Sequence, residues 1–258
     1  MAKYEMFKQQ VNGLINIDLN FYKEKQMKRR ISSLISRNNY NDFDDYFLAL
    51  RKDKDLLEQF VNYLTINVSE FYRNLSQWEV LEKEIIPGLL SGGKRNLNVW
   101  SSACSTGEEP YSLVMMLSNF FPLRDIKVLA TDIDDEAINK AKLGLYSEKS
   151  LANLPRNLKE KYFEKVQGSF KISDDIKRCV EFKKMDLLKD RFPQNMDLIT
   201  FRNVMIYFTE EAKELLYEKF HKSLTDEGIL FVGSTEQIIM PEKYNLKSAK
   251  TFFYKRNN

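Results

Sequence analysis

The sequence predicts an α/β fold. A doubly wound, mostly parallel sheet follows an all-helical N-terminal domain and contains a small antiparallel β insertion. Three features support this prediction. Apolar residues recur with helical spacing over residues 1–66, where glycine is nearly absent and proline is missing. From residue 96 onward, apolar strands alternate with helices, as in βαβ units. Residues 145–182 break that alternation.

The helical domain is predicted over residues 1–70. Its clearest helices are Asp44–Leu50 and Leu56–Leu64, where apolar residues have the spacing of one helix face. A linker is expected over residues 71–95, because this stretch holds the helix-breaking pair Pro87-Gly88 and two further glycines.

The sheet domain is predicted over residues 96–258, with a final edge strand at Phe252–Lys255. The insertion, residues 145–182, is predicted from short strands around turns at Gly168-Ser169 and Ser173–Asp175. These short strands are expected at 163–172 and 179–184, those of the main sheet at 97–100, 127–132, 196–201 and 228–233, and its helices at 109–121, 135–143 and 210–224.

The composition argues against several classes of protein. A net charge of only +3 does not suggest nucleic-acid binding. Two cysteines, Cys104 and Cys179, rule out a disulfide framework and fit the reducing cytoplasm, where we expect the protein to act. The N-terminus lacks a signal peptide's apolar run, and no stretch reaches the ~20 apolar residues of a membrane span, so no direct membrane insertion is expected. The single histidine, His221, lies far from any motif, which disfavours histidine-dependent hydrolases and histidine-rich metal sites.

The most informative segment is Asn98–Ser112, which has the pattern of a strand, a tight turn and a helix. Such a unit places backbone N–H groups and a helix N-terminus beside a ligand. The turn ends in Glu108 and Glu109, which suit the helix dipole but would repel a phosphate. A ligand that is cationic or rich in hydroxyls fits better, and S-adenosylmethionine is one such ligand. The alternative is an ordinary strand–helix connection capped by Ser105 or Thr106.

Polar residues follow two further predicted strands. Asp132 closes the second strand, 25 residues after Gly107, where an acid commonly accepts hydrogen bonds from ribose hydroxyls. The alternative is that Asp134 or Asp135 simply caps the next helix. A later apolar strand is followed by Arg202-Asn203 and then Tyr207, which we expect to face the crevice at the strand ends. The alternative for the charged residue is a salt bridge at the sheet edge.

Basic residues concentrate in residues 21–40, where six lysines and arginines oppose one glutamate. On a helix, Met27 and Ile31 would share one face with Leu34, while Lys25, Lys28 and Arg29 would point away from it. This surface is either an ordinary solvated face or a docking surface for an acidic partner. We assign the docking surface to four residues: Lys25, Lys28, Arg29 and Arg30.

Together these segments resemble the chemotaxis receptor glutamate O-methyltransferases, the CheR family. The segment Trp100–Ser112 matches that family's W-x-x-A-x-S-T-G-E-E-P-Y-S and is highly specific. The motifs occur in the expected order over nearly the whole chain. The others are Tyr22-Lys23 with Arg29-Arg30, Asn67–Arg73 for N-x-T-x-F-F-R, Thr131–Asp134 for T-D-I-D, Arg202–Phe208 for R-N-V-x-I-Y-F, and Gly233–Glu236 for the closing G-x-S-E, with one extra residue.

The resemblance implies a Rossmann-like, S-adenosylmethionine-dependent methyltransferase domain that releases S-adenosylhomocysteine and needs no metal. By that similarity, Glu108 or Glu109 and Asp132 would hold the ammonium and ribose groups of the cofactor. The remaining cofactor-binding residues would be Asn67, Ser69, Arg73, Asp186, Leu187, Arg202 and Asn203.

The resemblance also implies the acceptor, which is a glutamate carboxylate on the cytoplasmic methylation helices of chemotaxis receptors. A carboxylate is already ionised at neutral pH, so no histidine base is required. Arg73 and Tyr207 are the residues we expect to align it for catalysis. Gly168 stands alone where peptide-docking members of the family tend to show paired glycines, so the resemblance does not extend to peptide tethering. We expect a monomer.

Other functions fit parts of the same pattern. A methyltransferase of another substrate class would act on another protein, RNA or a small molecule. A non-catalytic sensor would bind S-adenosylmethionine without transferring its methyl group. Methyl transfer to each class of acceptor distinguishes these alternatives.

Overall fold

The computed structural model describes residues 2–65 and 69–257. These fall into two compact units. The first unit holds residues 2–65 together with 205–214, and the second holds 69–204 together with 215–257. The segment 205–214 is separated in sequence from the rest of its unit, which a prediction of consecutive domains does not anticipate. Among the described residues, no helix is both long and apolar enough to cross a lipid bilayer.

The first unit is built on α-helices, which confirms the all-helical N-terminal domain. Its core includes Phe7, Tyr46 and Phe60, whose rings meet edge to face at 5.9–6.0 Å. Asp42 and Asp53 cap the third and fourth helices by accepting backbone N–H groups of the first turn. The helices are α1 (Ala2–Ile15), α2 (Glu24–Arg37), α3 (Phe43–Leu50) and α4 (Lys54–Leu64).

The segment 205–214 completes the first unit beside the loop before α2. The backbone N–H of Lys23 donates to the carbonyl of Tyr207 at 2.9 Å. Tyr22 and Phe208 form an antiparallel bridge, and their ring centroids lie 5.2 Å apart. Tyr207 is therefore positioned by residues that precede it by more than 180 positions.

The second unit contains two sheets, which confirms the α/β fold with a small antiparallel sheet. The main sheet has the order β6-β2-β1-β7-β8-β10-β9 and the small sheet β3-β5-β4. From β6 to β8 all neighbours are parallel, and the last two pairs are antiparallel. The strands are β1 (Val99–Ser101), β2 (Val128–Asp132), β3 (Leu145–Tyr146), β4 (Phe163–Val166), β5 (Ser169–Ile172), β6 (Val180–Lys184), β7 (Met196–Phe201), β8 (Leu224–Val232), β9 (Leu246–Lys250) and β10 (Phe253–Arg256).

Helices precede β1 or lie between later strands, and β7 is buried along its whole length, as a central parallel strand should be. The helices are α5 (Leu75–Val80), α6 (Ile86–Leu90), α7 (Glu108–Leu117), α8 (Asp135–Leu143), α9 (Arg156–Tyr162), α10 (Asp174–Lys177) and α11 (Glu210–Ser223).

Three stretches differ from the sequence-based expectation. Val180–Lys184 is not part of the insertion, because it pairs in parallel with β2 as an edge strand of the main sheet. The C-terminal strand β10 is not at the edge, since β9 covers its outer side. The expected linker 71–95 is largely helical over residues 75–90. It buries Trp78 and Ile86 in the core, so that apolar packing fixes the segment.

Candidate functional site

The turn after β1 forms a rigid backbone cradle at the carboxyl end of the sheet. Ser105 and Gly107 both have left-handed φ angles, of 47° and 95°. A Cβ on Gly107 would lie 2.8 Å from the Cβ of Ala141, so only glycine fits there without strain. The Tyr146 hydroxyl donates to the carbonyl of Thr106 at 2.8 Å. Gly107 itself is the N-cap of α7 and no side chain caps the helix, so the alternative of a cap by Ser105 or Thr106 is wrong.

Asp132 lies at the end of β2, directly beside this turn. Its carboxylate accepts the backbone N–H of Ser105 at 2.7 Å and that of Asp134 at 3.0 Å. Burial raises the pKa of Asp132 to about 6. Asp134 caps α8 by accepting the N–H groups of Glu136 and Ala137, so the cap and the strand-end acid are separate residues.

Glu108 is a buried carboxyl group, with only 3% of the residue exposed. The Thr106 hydroxyl donates to it at 2.6 Å, and the Ser69 hydroxyl also hydrogen-bonds it. Burial raises the pKa of Glu108, and these hydroxyl donors lower it. A buried carboxylate held by neutral donors is stabilised further by a cationic ligand.

Arg202 is almost fully enclosed by protein groups. Its Nη2 donates to the carbonyl of Arg73 at 2.7 Å and to Oε1 of Gln77 at 2.9 Å. Its Nη1 lies 3.4 Å from a carboxylate oxygen of Glu109, and the guanidinium stacks 4.5 Å from the Phe231 ring centroid. Burial lowers the pKa of Arg202, while Glu109 raises it. The geometry therefore indicates that Arg202 holds neighbouring parts of the site in place.

Glu109 is the second member of this network. The Ser101 hydroxyl donates to its Oε1 at 2.8 Å, and the Thr200 hydroxyl donates to the same oxygen. Together with Arg202, these contacts join β1, β7 and α7. The two adjacent acids of the turn are thus unequal, because Glu109 contacts a cation of the protein and Glu108 contacts hydroxyls.

Arg73 is held by its backbone. The residues on either side, Tyr72 and Asn74, have left-handed φ angles of 51° and 62°. The carbonyl of Arg73 accepts hydrogen bonds from Trp78 Nε1 at 3.1 Å and from Arg202. Asn67, which the sequence analysis places in the same site, lies outside the described residues.

Glu236 has a role in the site that the sequence motifs did not predict. This buried carboxylate accepts the backbone N–H groups of Asn203 and Gly233. Asn203 has a left-handed φ of 63°, and a Cβ on Gly233 would lie 2.4 Å from Glu236. The closing motif Gly233–Glu236 thus fixes the backbone that follows β7. Gln77, which also contacts Arg202, was missed because no motif includes it.

Asp186 and Leu187 follow β6, the strand next to β2. The loop begins beside the strand-end acid, since the backbone N–H of Met185 donates to the Asp132 carbonyl at 2.8 Å. Asp186 Oδ1 accepts the N–H of Leu188 at 2.9 Å, and Leu187 is buried. The second unit therefore links Asp132 and Asp186 along one edge of its sheet.

The remaining predicted residues lie in the first unit. On α2, Lys25 and Arg29 are exposed, whereas Met27, Ile31 and Leu34 are buried as expected. Lys28 and Arg30 are half-buried because their cations lie 5.2 Å from the ring of Tyr4 and 4.8 Å from that of Tyr63. Tyr207, expected to be catalytic, is half-buried in the segment 205–214.

Comparisons with known proteins support the resemblance inferred from the motifs. The family model described as the CheR methyltransferase SAM binding domain matches residues 67–253, and the CheR methyltransferase all-alpha domain matches residues 2–65. A chemotaxis protein methyltransferase of Listeria innocua is 41% identical over 251 residues, which cover 97% of this chain and 96% of the relative. A chemotaxis protein methyltransferase of Borreliella burgdorferi is 32% identical over 252 residues, covering 89% of each chain.

Among solved structures, a TehB-like SAM-dependent methyltransferase from Corynebacterium glutamicum is similar with a TM-score of 0.41 and 16% identity. The similarity covers 71% of this chain and 94% of that one. It is too low to carry any conclusion about the site.

Proposed function

Because the chain belongs to the CheR methyltransferase family, we propose that it transfers a methyl group from S-adenosylmethionine to glutamate side chains of chemotaxis receptors. The products are glutamate methyl esters and S-adenosylhomocysteine. The observation that carries the proposal is Glu108, a buried carboxyl group that accepts the Thr106 hydroxyl on the turn whose Ser105 N–H holds Asp132. Such a turn suits a ligand with one cationic end and a ribose diol.

Residues of the turn and of the end of β2 would fit two parts of this cofactor, its ammonium and its ribose. Glu108 would accept the ammonium of the methionine moiety, with Ser69 beside it. Asp132 would accept hydrogen bonds from the ribose hydroxyls, because its carboxylate is fixed at the strand end by backbone N–H groups. Gly107 lets the turn pack closely against Ala141 and Tyr146, and this packing fixes the backbone of the proposed cradle.

The other predicted cofactor residues take two kinds of role. One group would complete the pocket from the ends of the strands: Asp186 and Leu187 follow β6, and Asn203 follows β7. Asn67, from the motif Asn67–Arg73, would join them. Arg202 and Glu109 act through other residues, because their charged groups contact each other and the protein. We therefore assign them as positioning residues for the carbonyl of Arg73 and for the turn.

The reaction is a displacement at one carbon. An oxygen of the glutamate carboxylate forms a bond to the methyl carbon, and the bond from that carbon to sulfur breaks, with its electron pair going to sulfur. The cofactor supplies an activated methyl group on a good leaving group. No proton moves, so this chain needs only to align the two groups and exclude water, and alignment can lower the barrier by ~7–11 kcal/mol.

Arg73 and Tyr207 are proposed to align the acceptor carboxylate. Arg73→Ala should lower turnover by about a hundredfold, the cost of misplacing reacting groups, while S-adenosylhomocysteine binding falls less. Tyr207→Phe keeps the ring and removes one hydroxyl, so a loss of turnover with an unchanged KM for the cofactor would support its role. Tyr40→Phe in the same unit is the matched control. Full activity of Arg73→Ala would refute the assignment.

The acceptor is proposed to be the acidic, helical methylation region of a receptor. Lys25 and Arg29 are exposed on α2 and suit an acidic partner, and Lys28 and Arg30 flank them. On this proposal the protein acts in the cytoplasm as a monomer.

The decisive experiment incubates the protein with tritiated S-adenosylmethionine and receptor-containing membranes, followed by treatment with base. Volatile labelled methanol would show a carboxyl methyl ester and support the proposal. Label that resists base would indicate another acceptor chemistry. Cofactor binding without any transfer would indicate a sensor instead of an enzyme.

A further inference from the structure

The loop Asp186–Asp190 is a compact turn that follows β6. The backbone N–H of Asp186 donates to the side chain of Asp190 at 2.8 Å, and the N–H of Asp190 returns to the carbonyl of Asp186 at 2.8 Å. The loop begins beside Asp132, through the hydrogen bond from Met185. The strand β6 neighbours β2 at the edge of the sheet. If Asp132 holds a ribose, the adenine attached to that ribose would therefore lie beside this loop.

Lys219 holds this loop from α11. Its ammonium group donates to the carbonyls of Leu187 and Asp190, the latter at 2.8 Å. It also lies 4.2 Å from the ring centroid of Phe192, which packs against Trp100 in the core. A cation that joins two carbonyls of one turn fixes the spacing of that turn. No motif of the sequence analysis includes this lysine.

We propose that Lys219 is a positioning residue for the adenine end of the S-adenosylmethionine site, acting through the carbonyls of Leu187 and Asp190. This inference rests on the proposed function, since it assumes that the site holds that cofactor. The loop supplies Asp186 for polar contact and Leu187 for apolar contact with the base. Without the ammonium group the two carbonyls lose their shared donor, and the loop no longer presents both side chains together.

The test compares two ligands by calorimetry. S-adenosylhomocysteine contains the whole product, and methylthioadenosine keeps the adenine and ribose but lacks the amino acid. Lys219→Met should weaken both by about tenfold or more, the effect of losing hydrogen bonds from a charged donor. Glu108→Gln should weaken only the first ligand. Lys222→Met, an exposed lysine on the same helix, is the matched control and should bind both as wild type does.

A purely structural role would not produce this pattern. It would lower the melting temperature and leave the affinity of the folded protein unchanged. In methyl transfer, Lys219→Met should raise the KM for the cofactor and leave kcat nearly unchanged, because the ground state and the transition state lose the same contact. Lys219→Gln keeps a neutral donor on a side chain that is one atom shorter. This variant should bind both ligands several-fold more weakly than the wild type. It provides the test of the proposal if Lys219→Met does not fold.

The outcomes separate this inference from the function on which it rests. If the wild type binds both ligands and Lys219→Met or Lys219→Gln binds them equally well, the inference is overturned and the proposed function stands. Loss of S-adenosylhomocysteine alone, with methylthioadenosine unaffected, would also overturn it. A wild type that binds neither ligand overturns the cofactor assignment itself.

Discussion

Replacing Arg202 by methionine should strongly destabilise the second unit. The side chain is only 2% exposed and its ion-pair partner Glu109 only 13%, so neither group can turn to water when the other is removed. Methionine keeps the packing on Phe231 and removes the charge and all the donors. The carbonyl of Arg73 keeps its hydrogen bond from Trp78 Nε1 at 3.1 Å.

The size of the effect follows from these contacts. At 3.4 Å and an effective dielectric constant of about 20, the attraction between the two charges is about 5 kcal/mol. Two hydrogen bonds from the guanidinium are lost as well, while Glu109 keeps its hydroxyl donors from Ser101 and Thr200. Removing one partner of a buried pair typically costs 3–5 kcal/mol, and we expect a lowering of the unfolding free energy by about that amount.

Urea unfolding followed by tryptophan fluorescence measures this loss in the correct unit, because both tryptophans, Trp78 and Trp100, are buried in the second unit. With an m value of about 2–3 kcal/mol per molar urea, the midpoint should fall by about 1–2.5 M. The exposed pair Arg156–Glu160 provides the control, and Arg156→Met should cost less than about 1 kcal/mol. If Arg202→Met lowers the free energy of unfolding by less than about 1 kcal/mol, the reasoning is refuted. If the loss is larger, the second substitution Glu109→Gln should recover part of it, because it removes the unpaired buried charge.

Three further predictions concern the site and its partner. Gly107→Ala should weaken S-adenosylhomocysteine binding at least tenfold by calorimetry, because the new Cβ would lie 2.8 Å from that of Ala141 at a φ of 95°; an unchanged affinity would exclude the cradle. Since burial raises the pKa of Asp132 to about 6, the same affinity should fall as the pH drops below 6, and Asp132→Asn should abolish that dependence. In the absence of ligand, the contribution of Asp132 to the free energy of unfolding changes in the opposite direction. Because its pKa is raised in the folded state, this group destabilises the fold less as the pH falls from 6 toward about 4. Lys25→Glu with Arg29→Glu should slow receptor methylation and flatten its salt dependence, and an unchanged salt dependence would exclude the docking surface.

The elements that the sequence predicts well carry their signal locally. Met196–Phe201 is rich in apolar residues and forms a strand with those bounds, and Asp134 caps α8. The pairing of Val180–Lys184 is not encoded locally, because its partner β2 lies about 50 residues earlier in the chain. The five residues themselves do not indicate whether the strand joins the small sheet or the edge of the main sheet. The helical segment 75–90 was expected as a linker because Pro87-Gly88 suggests a break, yet the backbone remains helical through the proline, which follows the π-helical stretch Leu81–Ile85.

The site shows the same division between residue type and partner. Acids at strand ends are visible in the sequence, so Glu108 and Asp132 could be predicted as site residues. That Glu109, and not the neighbouring Glu108, contacts a protein cation depends on residues far away in the chain. Arg202 was expected in the cofactor pocket, and its contact with Gln77, 125 positions earlier, is a product of packing that no local motif encodes.

The discontinuity of the helical unit has a consequence for how the protein is made. Residues 65 and 205 are 140 positions apart, and ribosomes add about 5–20 residues per second, so the segment that pairs with Tyr22 is synthesised roughly 7–28 s after the four helices. During that interval every strand from β1 to β7 is made. The bridge between Tyr22 and Phe208 therefore cannot form during that interval. A ribosome that stalls before residue 205 carries an incomplete helical unit.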